Sequence, residues 1–303
     1  MEGWDALSTA PRPDRPDPYH SHTFDELCEL PTAYRDGLFD GQVVLITGGG
    51  GAIGTAMATL FGRLGATIAA CGRTAETLDV LAARLESIGV PVSTDVMTVR
   101  EPDQVAALID GVRERHGHLD VVVNNAGGQF SCPAVDISPK GWHAVVETNL
   151  YGTWYVMQGA ARRWIEAGES GNIINISTIQ GRASVGIVHT SAARAGGYAL
   201  TRSLAVEWAP HRIRVNSIGV GVVASEGLRH YPPEARASFG HNPMRHLGDV
   251  WDVAQAAVYL AGPTGAFVTG HHLDVTGGEH VWGEYWPLGK PDWFKLDDPE
   301  EEC

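Results

Sequence analysis

The sequence predicts a single α/β domain built on a doubly wound parallel sheet. Short runs rich in valine and isoleucine recur along the chain, stretches with helical periodicity separate them, and a glycine-rich turn joins the first run to a helix. Long helices are expected near residues 101–116, 139–165 and 189–209. The candidate strands are residues 43–46, 67–71, 92–95, 120–124, 172–177, 212–218 and 271–275.

Composition divides the chain into three segments, an extension at residues 1–40, a domain at 41–281 and a tail at 282–303. The extension is rich in proline and aspartate. We expect it to be mostly extended and to dock through Trp4, Tyr19 and Phe24. The tail ends in acidic residues, which we expect to be disordered. Its aromatic residues are expected to pack on a neighbour, and they are Trp282, Tyr285, Trp286 and Trp293.

The net charge of −14 lies mainly in the two ends of the chain. Residues 1–40 hold nine acidic residues against three arginines, and residues 291–303 hold six against one lysine. This distribution argues against nucleic-acid binding. No apolar stretch approaches the roughly 20 residues of a membrane span, and no secretory leader is evident. The four cysteines lack metal-site or disulfide-framework spacing, so we predict no metal site and a cytoplasmic location.

The first informative motif is Thr47-Gly-Gly-Gly-Gly-Ala-Ile-Gly54, between a strand-like run and a helix predicted for residues 55–64. Glycines at a strand-to-helix turn let the backbone approach a ligand, and amides of the first helical turn attract phosphate. A glycine triplet alone is weak evidence, but in this context it predicts a dinucleotide site. The residues expected to line that site are Gly48, Gly50, Gly51, Ala52, Ile53 and Gly54.

The end of the second strand indicates which dinucleotide binds. An NAD site usually presents an acidic residue about 20 residues beyond the glycines, but this chain has Gly72-Arg73 there. A guanidinium binds a 2′-phosphate in a fork, so NADPH is favoured. The alternative is that Arg73 is a solvated residue at a helix start. Asp95 and Val96 end the third strand, where we expect them to hold the adenine.

Asn124-Asn-Ala-Gly127 ends the fourth strand, and with the glycine loop it resembles the short-chain dehydrogenase/reductase family. The resemblance covers about residues 41–280 and implies a seven-stranded Rossmann fold, usually a dimer or tetramer. Two departures are Ala52 in place of a loop glycine and Val220 in place of a proline. The resemblance places four further residues at the cofactor, namely Asn125, Ala126, Gly127 and Val223.

The catalytic residues of that family are replaced at two positions. The family uses a serine, a Tyr-x-x-x-Lys pair and an asparagine; here the tyrosine position is Thr190 and the lysine position is Arg194. The serine position falls on Thr178, and Asn149 is retained. Arg194 can bind the ribose hydroxyls but stays protonated, and a threonine is a poor acid. Carbonyl reduction therefore loses its main acid, whereas an α,β-unsaturated thioester needs only oriented donors to its enolate oxygen.

A narrower resemblance agrees with this chemistry. Residues 124–130, 140–150 and 189–196 look like the peroxisomal trans-2-enoyl-CoA reductases and their bacterial relatives, which neighbour the 2,4-dienoyl-CoA reductases. The resemblance implies an NADPH-dependent 2-enoyl-CoA reductase. It also carries over a proposed proton donor to Tyr198, whose alternative role is that of a core or interface aromatic.

Other candidates face the same predicted pocket. Ser177 and Thr178 are expected to be oxyanion donors, although hydroxyls also commonly satisfy nearby backbone groups. Thr190 is either a pocket residue or a helix N-cap. Segment 224–247 is expected to form a lid, whose cationic residues either bind coenzyme A phosphates or form an ordinary solvated face. The predicted substrate contacts are Gln129, Phe130, Arg229 and Arg236.

Other functions are also compatible with the sequence. One is a carbonyl reductase, or an unusual lyase or dehydratase in which the cofactor is structural. The other is a non-catalytic nucleotide-binding subunit of a larger complex.

Overall fold

The fold is described from a computed structural model that covers residues 17, 19–181, 183–231, 233–236, 239 and 242–283. Trp4, Tyr285, Trp286 and Trp293, for which docking was predicted, lie outside these residues. Among the described residues no helix is both long and apolar enough to cross a membrane.

Seven parallel strands form one sheet in the order β3-β2-β1-β4-β5-β6-β7. All seven predicted strands are present, each within two residues of its predicted bounds, because Val/Ile-rich runs are buried on both faces of such a sheet. The chain crosses from β3 back to β4 beside β1, which creates the crevice where ligands bind in open α/β sheets. The strands are β1 Val43–Thr47, β2 Thr67–Gly72, β3 Val92–Val96, β4 Val121–Asn124, β5 Gly171–Thr178, β6 Ile213–Val220 and β7 His272–Val275.

Helices cover both faces of the sheet. Val44 and Ile46 of β1 pack with one set of helices, α1, α2, α3 and α9, whereas Val43 and Leu45 pack with α4, α6 and α7 on the other face. The alternation follows from the period of two along a strand. The helices are α1 Phe24–Glu29, α2 Ala52–Arg63, α3 Ala75–Ser87, α4 Pro102–His116, α5 Pro139–Val146, α6 Thr153–Ala167, α7 Val188–Glu207, α8 Pro233–Arg236 and α9 Val250–Ala261.

The helix predicted over residues 139–165 is interrupted by a π-helical turn at Glu147–Gly152. Thr148 Oγ1 donates to the carbonyl of Ala144 at 3.0 Å, and Asn149 Nδ2 donates to that of Val145 at 2.9 Å. These side chains bond the carbonyls that close the last turn of α5, which favours a wider turn. Single π-helical turns are frequent at functional sites, and this one carries Asn149.

Part of the extension folds onto the domain, in contrast to the mostly extended conformation predicted for it. Phe24 and Leu27 of α1 are buried against the core that includes α2, and Arg63 of α2 donates to the carbonyls of Leu27 and Leu30 at 2.7 and 2.9 Å. Thr23 is the N-cap of α1 and forms a capping box with Glu26. This motif predicts a helix start, whereas the proline-rich composition of the extension favours an extended chain.

We predict that Leu27→Ala destabilises the protein by about 2–4 kcal/mol, because it removes a buried side chain and leaves a cavity against α2. Urea unfolding measures the change, and Glu29→Ala, at an exposed position of the same helix, is the control. A change under about 0.5 kcal/mol for Leu27→Ala would mean that α1 does not dock in solution.

Candidate active site

A cleft of about 470 Å³ opens at the carboxyl ends of β1, β2 and β4. Its lining contains the glycine loop, the end of β2 and the loop after β4, as the sequence analysis predicts. The predicted cofactor residues along its wall are Gly48, Gly50, Gly51, Ala52, Ile53, Gly54, Arg73, Asn125, Ala126, Gly127 and Val223.

The glycine loop has the backbone geometry of a phosphate cradle. Gly48 has φ +65°, which favours glycine, and a Cβ on Gly54 would come within 3.0 Å of the carbonyl oxygen of Gly48. Helix α2 begins after Gly51, and no side chain caps its first amides. Uncapped amides at a helix N-terminus attract anions. These residues therefore fit the pyrophosphate of a dinucleotide, and Ala52 is accommodated as the first residue of the helix.

The loop after β4 is fastened to the glycine loop through Thr47. The buried Thr47 hydroxyl accepts from the backbone amides of Asn125 and Ala126 at 3.0 and 2.9 Å. The side-chain Nδ2 of Asn125 in turn donates to the carbonyls of Thr47 and Gly48 at 3.1 and 3.0 Å. These four bonds hold the two walls of the cleft together.

Arg73 is exposed at the cleft, but Asp95 and Val96 do not line it. The Asp95 carboxylate forms an ion pair with Arg115 of α4, and the side chain of Val96 is largely exposed. The wall beyond β3 is formed instead by Met97, Thr98 and Val99. Asp95 and Val96 therefore lie outside the lining of this cleft, and the adenine contact stays a prediction.

Arg194, Asn149 and Gly127 meet beside this cleft. A Cβ on Gly127 would lie within 3.0 Å of both Arg194 Nη2 and Asn149 Oδ1. Arg194 Nη1 donates to the carbonyl of Ile176, whereas its buried Nε has no hydrogen-bond partner in the described part of the chain. Burial lowers the pKa of Arg194 to about 10, so the guanidinium remains charged at neutral pH.

Asn149 is a buried connector between the loop and the π-helical turn. Its Nδ2 donates to the carbonyls of Gly128 and Val145 at 2.8 and 2.9 Å, and its Oδ1 accepts from the amide of Gly128 at 3.4 Å. These contacts hold the loop after β4 against the π-helical turn.

The hydroxyl candidates occupy the end of β5 and the start of α7. Thr178 is the last residue of β5 and is partly exposed, whereas Ser177 is buried and its Oγ accepts from Gln180 Nε2 at 3.4 Å. Thr190 is buried within α7, whose N-cap is Ile187, so the N-cap alternative does not apply to it. Its amide donates to Nδ1 of the buried His189 at 2.8 Å.

Tyr198 lies one helical turn beyond Arg194, and its ring packs against β7. Its centroid is 5.1 Å from that of His272 in an edge-to-face arrangement, and Arg202 lies over its face at 5.8 Å. These contacts hold the partly buried ring, and the role of the Tyr198 hydroxyl stays a prediction.

The predicted substrate contacts lie near the segment after β6. Gln129 Nε2 donates to the hydroxyl of Tyr231 at 3.0 Å, and Phe130 packs edge-to-face on His189 at 4.5 Å. Arg229 forms an ion pair with Asp17 of the extension and a second one, at 2.8 Å, with Glu226. The positive charge of Arg229 is therefore already compensated. The Arg236 guanidinium lies 5.8 Å from the ring of Tyr19. A phosphate at Arg229 would have to displace Asp17.

Several residues at the site escaped the sequence analysis. Thr74, Thr77, Thr148 and Ser225 line the cleft with hydroxyl-bearing side chains. They lie in loops and on helices where serine and threonine carry no distinctive spacing.

Comparisons with known proteins identify the family. A family model described as "Enoyl-(Acyl carrier protein) reductase" matches residues 50–280. The chain is 34% identical over 244 residues to a probable 2,4-dienoyl-CoA reductase of Bacillus subtilis, a match that covers 78% of this chain and 96% of that protein. It is 35% identical over 275 residues to a peroxisomal 2,4-dienoyl-CoA reductase of Arabidopsis thaliana, with 86% and 90% covered.

Solved structures agree in fold. A citronellol catabolism dehydrogenase of Pseudomonas aeruginosa is similar to this chain with a TM-score of 0.74 at 33% identity, covering 82% of this chain and 99% of that one. The region that the family model matches, residues 50–280, begins within the glycine loop and contains the Asn-Ala-Gly loop and the α7 site described above. The chain therefore belongs to the short-chain dehydrogenase/reductase family, whose members are oxidoreductases that use nicotinamide cofactors.

Proposed function

We propose that the protein reduces a carbon–carbon double bond conjugated to the carbonyl of an acyl-CoA thioester, with NADPH as the reductant. The observation that carries this proposal is the largely enclosed Arg194 guanidinium beside the nucleotide cleft, one turn after Thr190. The pair retains a cation for the cofactor ribose but lacks a strong proton donor, which carbonyl reduction requires.

The relatives narrow the substrate class. Both curated relatives described above carry names that specify reduction of 2,4-dienoyl-CoA. We therefore place 2,4-dienoyl thioesters first and 2-enoyl thioesters second. In both, hydride adds at the far end of the conjugated system, Cδ or Cβ respectively, and the negative charge spreads onto the thioester oxygen.

The chain would contribute binding and charge stabilisation. NADPH, when bound, supplies the hydride. Ser177 and Thr178 at the end of β5, with Thr190, would hold the thioester oxygen, where an oriented donor is worth roughly 3–4 kcal/mol. Arg194 would bind the ribose hydroxyls through its guanidinium, and Asn149 would position the loop at Gly127. Since Tyr198 packs on His272, we propose water as the proton source.

Three coarser expectations remain part of the proposal. Phe267 is fully exposed and Val206 largely so, which supports a homodimer or homotetramer, and light scattering would measure it. We also propose the division of the chain into an extension at residues 1–40, a domain at 41–281 and a tail at 282–303. A cytoplasmic location rests on the cysteine pattern alone.

A substrate panel tests the function. Purified protein is mixed with NADPH and with 2,4-dienoyl-CoA, 2-enoyl-CoA, 3-oxoacyl-CoA and simple ketones, and nicotinamide absorbance is followed. We expect oxidation with the dienoyl or enoyl esters. Turnover of ketones alone would favour the carbonyl reductase. NADPH binding without any oxidation would favour the non-catalytic subunit.

We predict that Arg73→Ala raises KM for NADPH by about 10–100-fold and leaves KM for NADH nearly unchanged, because a charge-assisted bond to the 2′-phosphate is lost. Steady-state kinetics with both cofactors measure the ratio. Arg162→Ala, at an exposed position of α6, is the matched control. An unchanged NADPH/NADH ratio would assign Arg73 to the solvated surface.

We predict that Arg194→Met weakens NADPH binding by about 10–100-fold, because a buried charged donor is lost. Arg194→Lys should restore part of the affinity.

In the native protein the guanidinium of Arg194 is charged below its pKa of about 10 and loses its charge only above that pH. NADPH affinity, measured by fluorescence titration, should therefore be flat between about pH 7 and 9. A decline centred near pH 8 would contradict this assignment.

We predict that Tyr198→Phe retains kcat within about twofold, since the ring contact with His272 survives the substitution. Stopped-flow measurement of NADPH oxidation tests this. A loss of about a hundredfold, the scale of general-acid catalysis, would identify Tyr198 as the proton donor.

A further inference from the structure

Three side chains with metal-binding atoms converge at the start of α1, and none of them lines the nucleotide cleft. His20, His22 and Glu26 each present one such atom, and the three atoms lie within 4.8 Å of one another. His20 Nε2 is 3.3 Å from Glu26 Oε1 and 3.1 Å from Oε2, and His22 Nδ1 is 3.9 Å from Oε2. The side chains of His20 and Glu26 are about half exposed, so an ion has access.

The capping box of α1 holds Glu26 in this position. Its Oε2 accepts from the amide of Thr23 at 2.6 Å and from the Thr23 hydroxyl at 3.0 Å. These bonds fold the carboxylate back over the residues that precede the helix, where both histidines lie, and they use Oε2 rather than Oε1.

A second observation comes from a distant part of the chain. His22 Nε2 lies 2.6 Å from Oδ2 of Asp249, a buried residue that caps α9 by accepting from the amide of Trp251 at 2.8 Å. A carboxylate on one ring nitrogen holds the proton there and turns the lone pair of the other nitrogen outward. Histidine ligands of metal ions have this arrangement, and in this protein the outward nitrogen is Nδ1, which faces Glu26.

We infer that His20, His22 and Glu26 form a site for a divalent first-row transition metal, with Zn²⁺ as the expected ion. Two imidazole nitrogens and one carboxylate oxygen suit Zn²⁺, whose ligand atoms, at about 2.1 Å from a tetrahedral ion, lie about 3.4 Å apart. The separation of 3.3 Å between His20 Nε2 and Glu26 Oε1 is close to that value, and His22 Nδ1 lies 3.9 Å from the other carboxylate oxygen, Oε2. Mg²⁺ and Ca²⁺ prefer all-oxygen sites and should bind weakly.

The bound ion would fasten the extension to the domain. His22 connects the site to Asp249 at the start of α9, while Tyr19, just before His20, lies between the Arg229 and Arg236 guanidiniums of the segment after β6. Three protein ligands would leave the fourth coordination position of the ion to water.

The test uses the full-length, tag-free chain, titrated with ZnCl₂ by calorimetry in a non-chelating buffer. We expect one ion per chain, at least a hundredfold weaker binding in His20→Ala/His22→Ala, and unchanged binding in His118→Ala, a control at a partly exposed histidine that contacts Asp120. Should the double variant fail to fold, Glu26→Gln retains a cap acceptor and should weaken binding at least tenfold.

Hydrogen exchange distinguishes this site from adventitious binding, because adventitious binding would not change the exchange rates of the amides near His20, His22 and Glu26. Zn²⁺ should slow exchange of the amides at residues 20–29 in the native chain and not in the double variant. The inference is overturned if native protein does not bind Zn²⁺ at one per chain, if the double variant binds equally, or if Mg²⁺ competes at equal concentration. In that event the cluster is a set of histidine–carboxylate hydrogen bonds only.

Discussion

The absence of a side chain at Gly127 is the constraint on which the candidate site depends. Three elements converge there: the loop after β4, the π-helical turn that carries Asn149, and helix α7 through Arg194. The guanidinium and the asparagine oxygen occupy the space that a Cβ would require. Any larger residue at 127 would separate these elements, and the cofactor wall would lose the contact between Arg194 and the Asn-Ala-Gly loop.

The same packing explains the electrostatics of the site. Among the described residues Arg194 has no carboxylate partner, and its buried Nε has no hydrogen-bond partner. An unpaired buried charge is costly unless a ligand supplies the missing partners. Ribose hydroxyls of a bound dinucleotide would do so. The protein therefore retains a cation beside the cofactor while Thr190 stands where the family carries its acid. That combination suits an enolate held by hydroxyl donors better than an alkoxide that must receive a proton.

The extension contributes to the side of the molecule where substrate is expected. Asp17 neutralises Arg229, and Tyr19 packs between Arg229 and Arg236, so a surface that looked cationic in the sequence is already occupied. His22 continues the contact to Asp249 and thus to α9. These interactions join segments more than 200 residues apart, which is why the charge of the segment after β6 could not be assessed from its own composition.

The sequence by itself determined the sheet and the cofactor loops. Val/Ile-rich runs are buried on both faces of a parallel sheet whatever packs on them, and a glycine at 48, 54 or 127 marks a backbone that tolerates no Cβ. The replacement of tyrosine and lysine by Thr190 and Arg194 was equally visible in the sequence.

Only the tertiary structure decided where polar side chains point. Asp95 turns to Arg115, Tyr198 turns to His272, and the residues at 147–152 widen into a π-helical turn. The partners of Asp95 and Tyr198 are remote along the chain, so local spacing does not encode them. The π-helical turn reflects the side-chain bonds of Thr148 and Asn149 to the carbonyls of Ala144 and Val145. The hydrophobic pattern of a segment predicts which of its faces is buried. The residue that pairs with a charge or packs on a ring depends on how the whole chain folds.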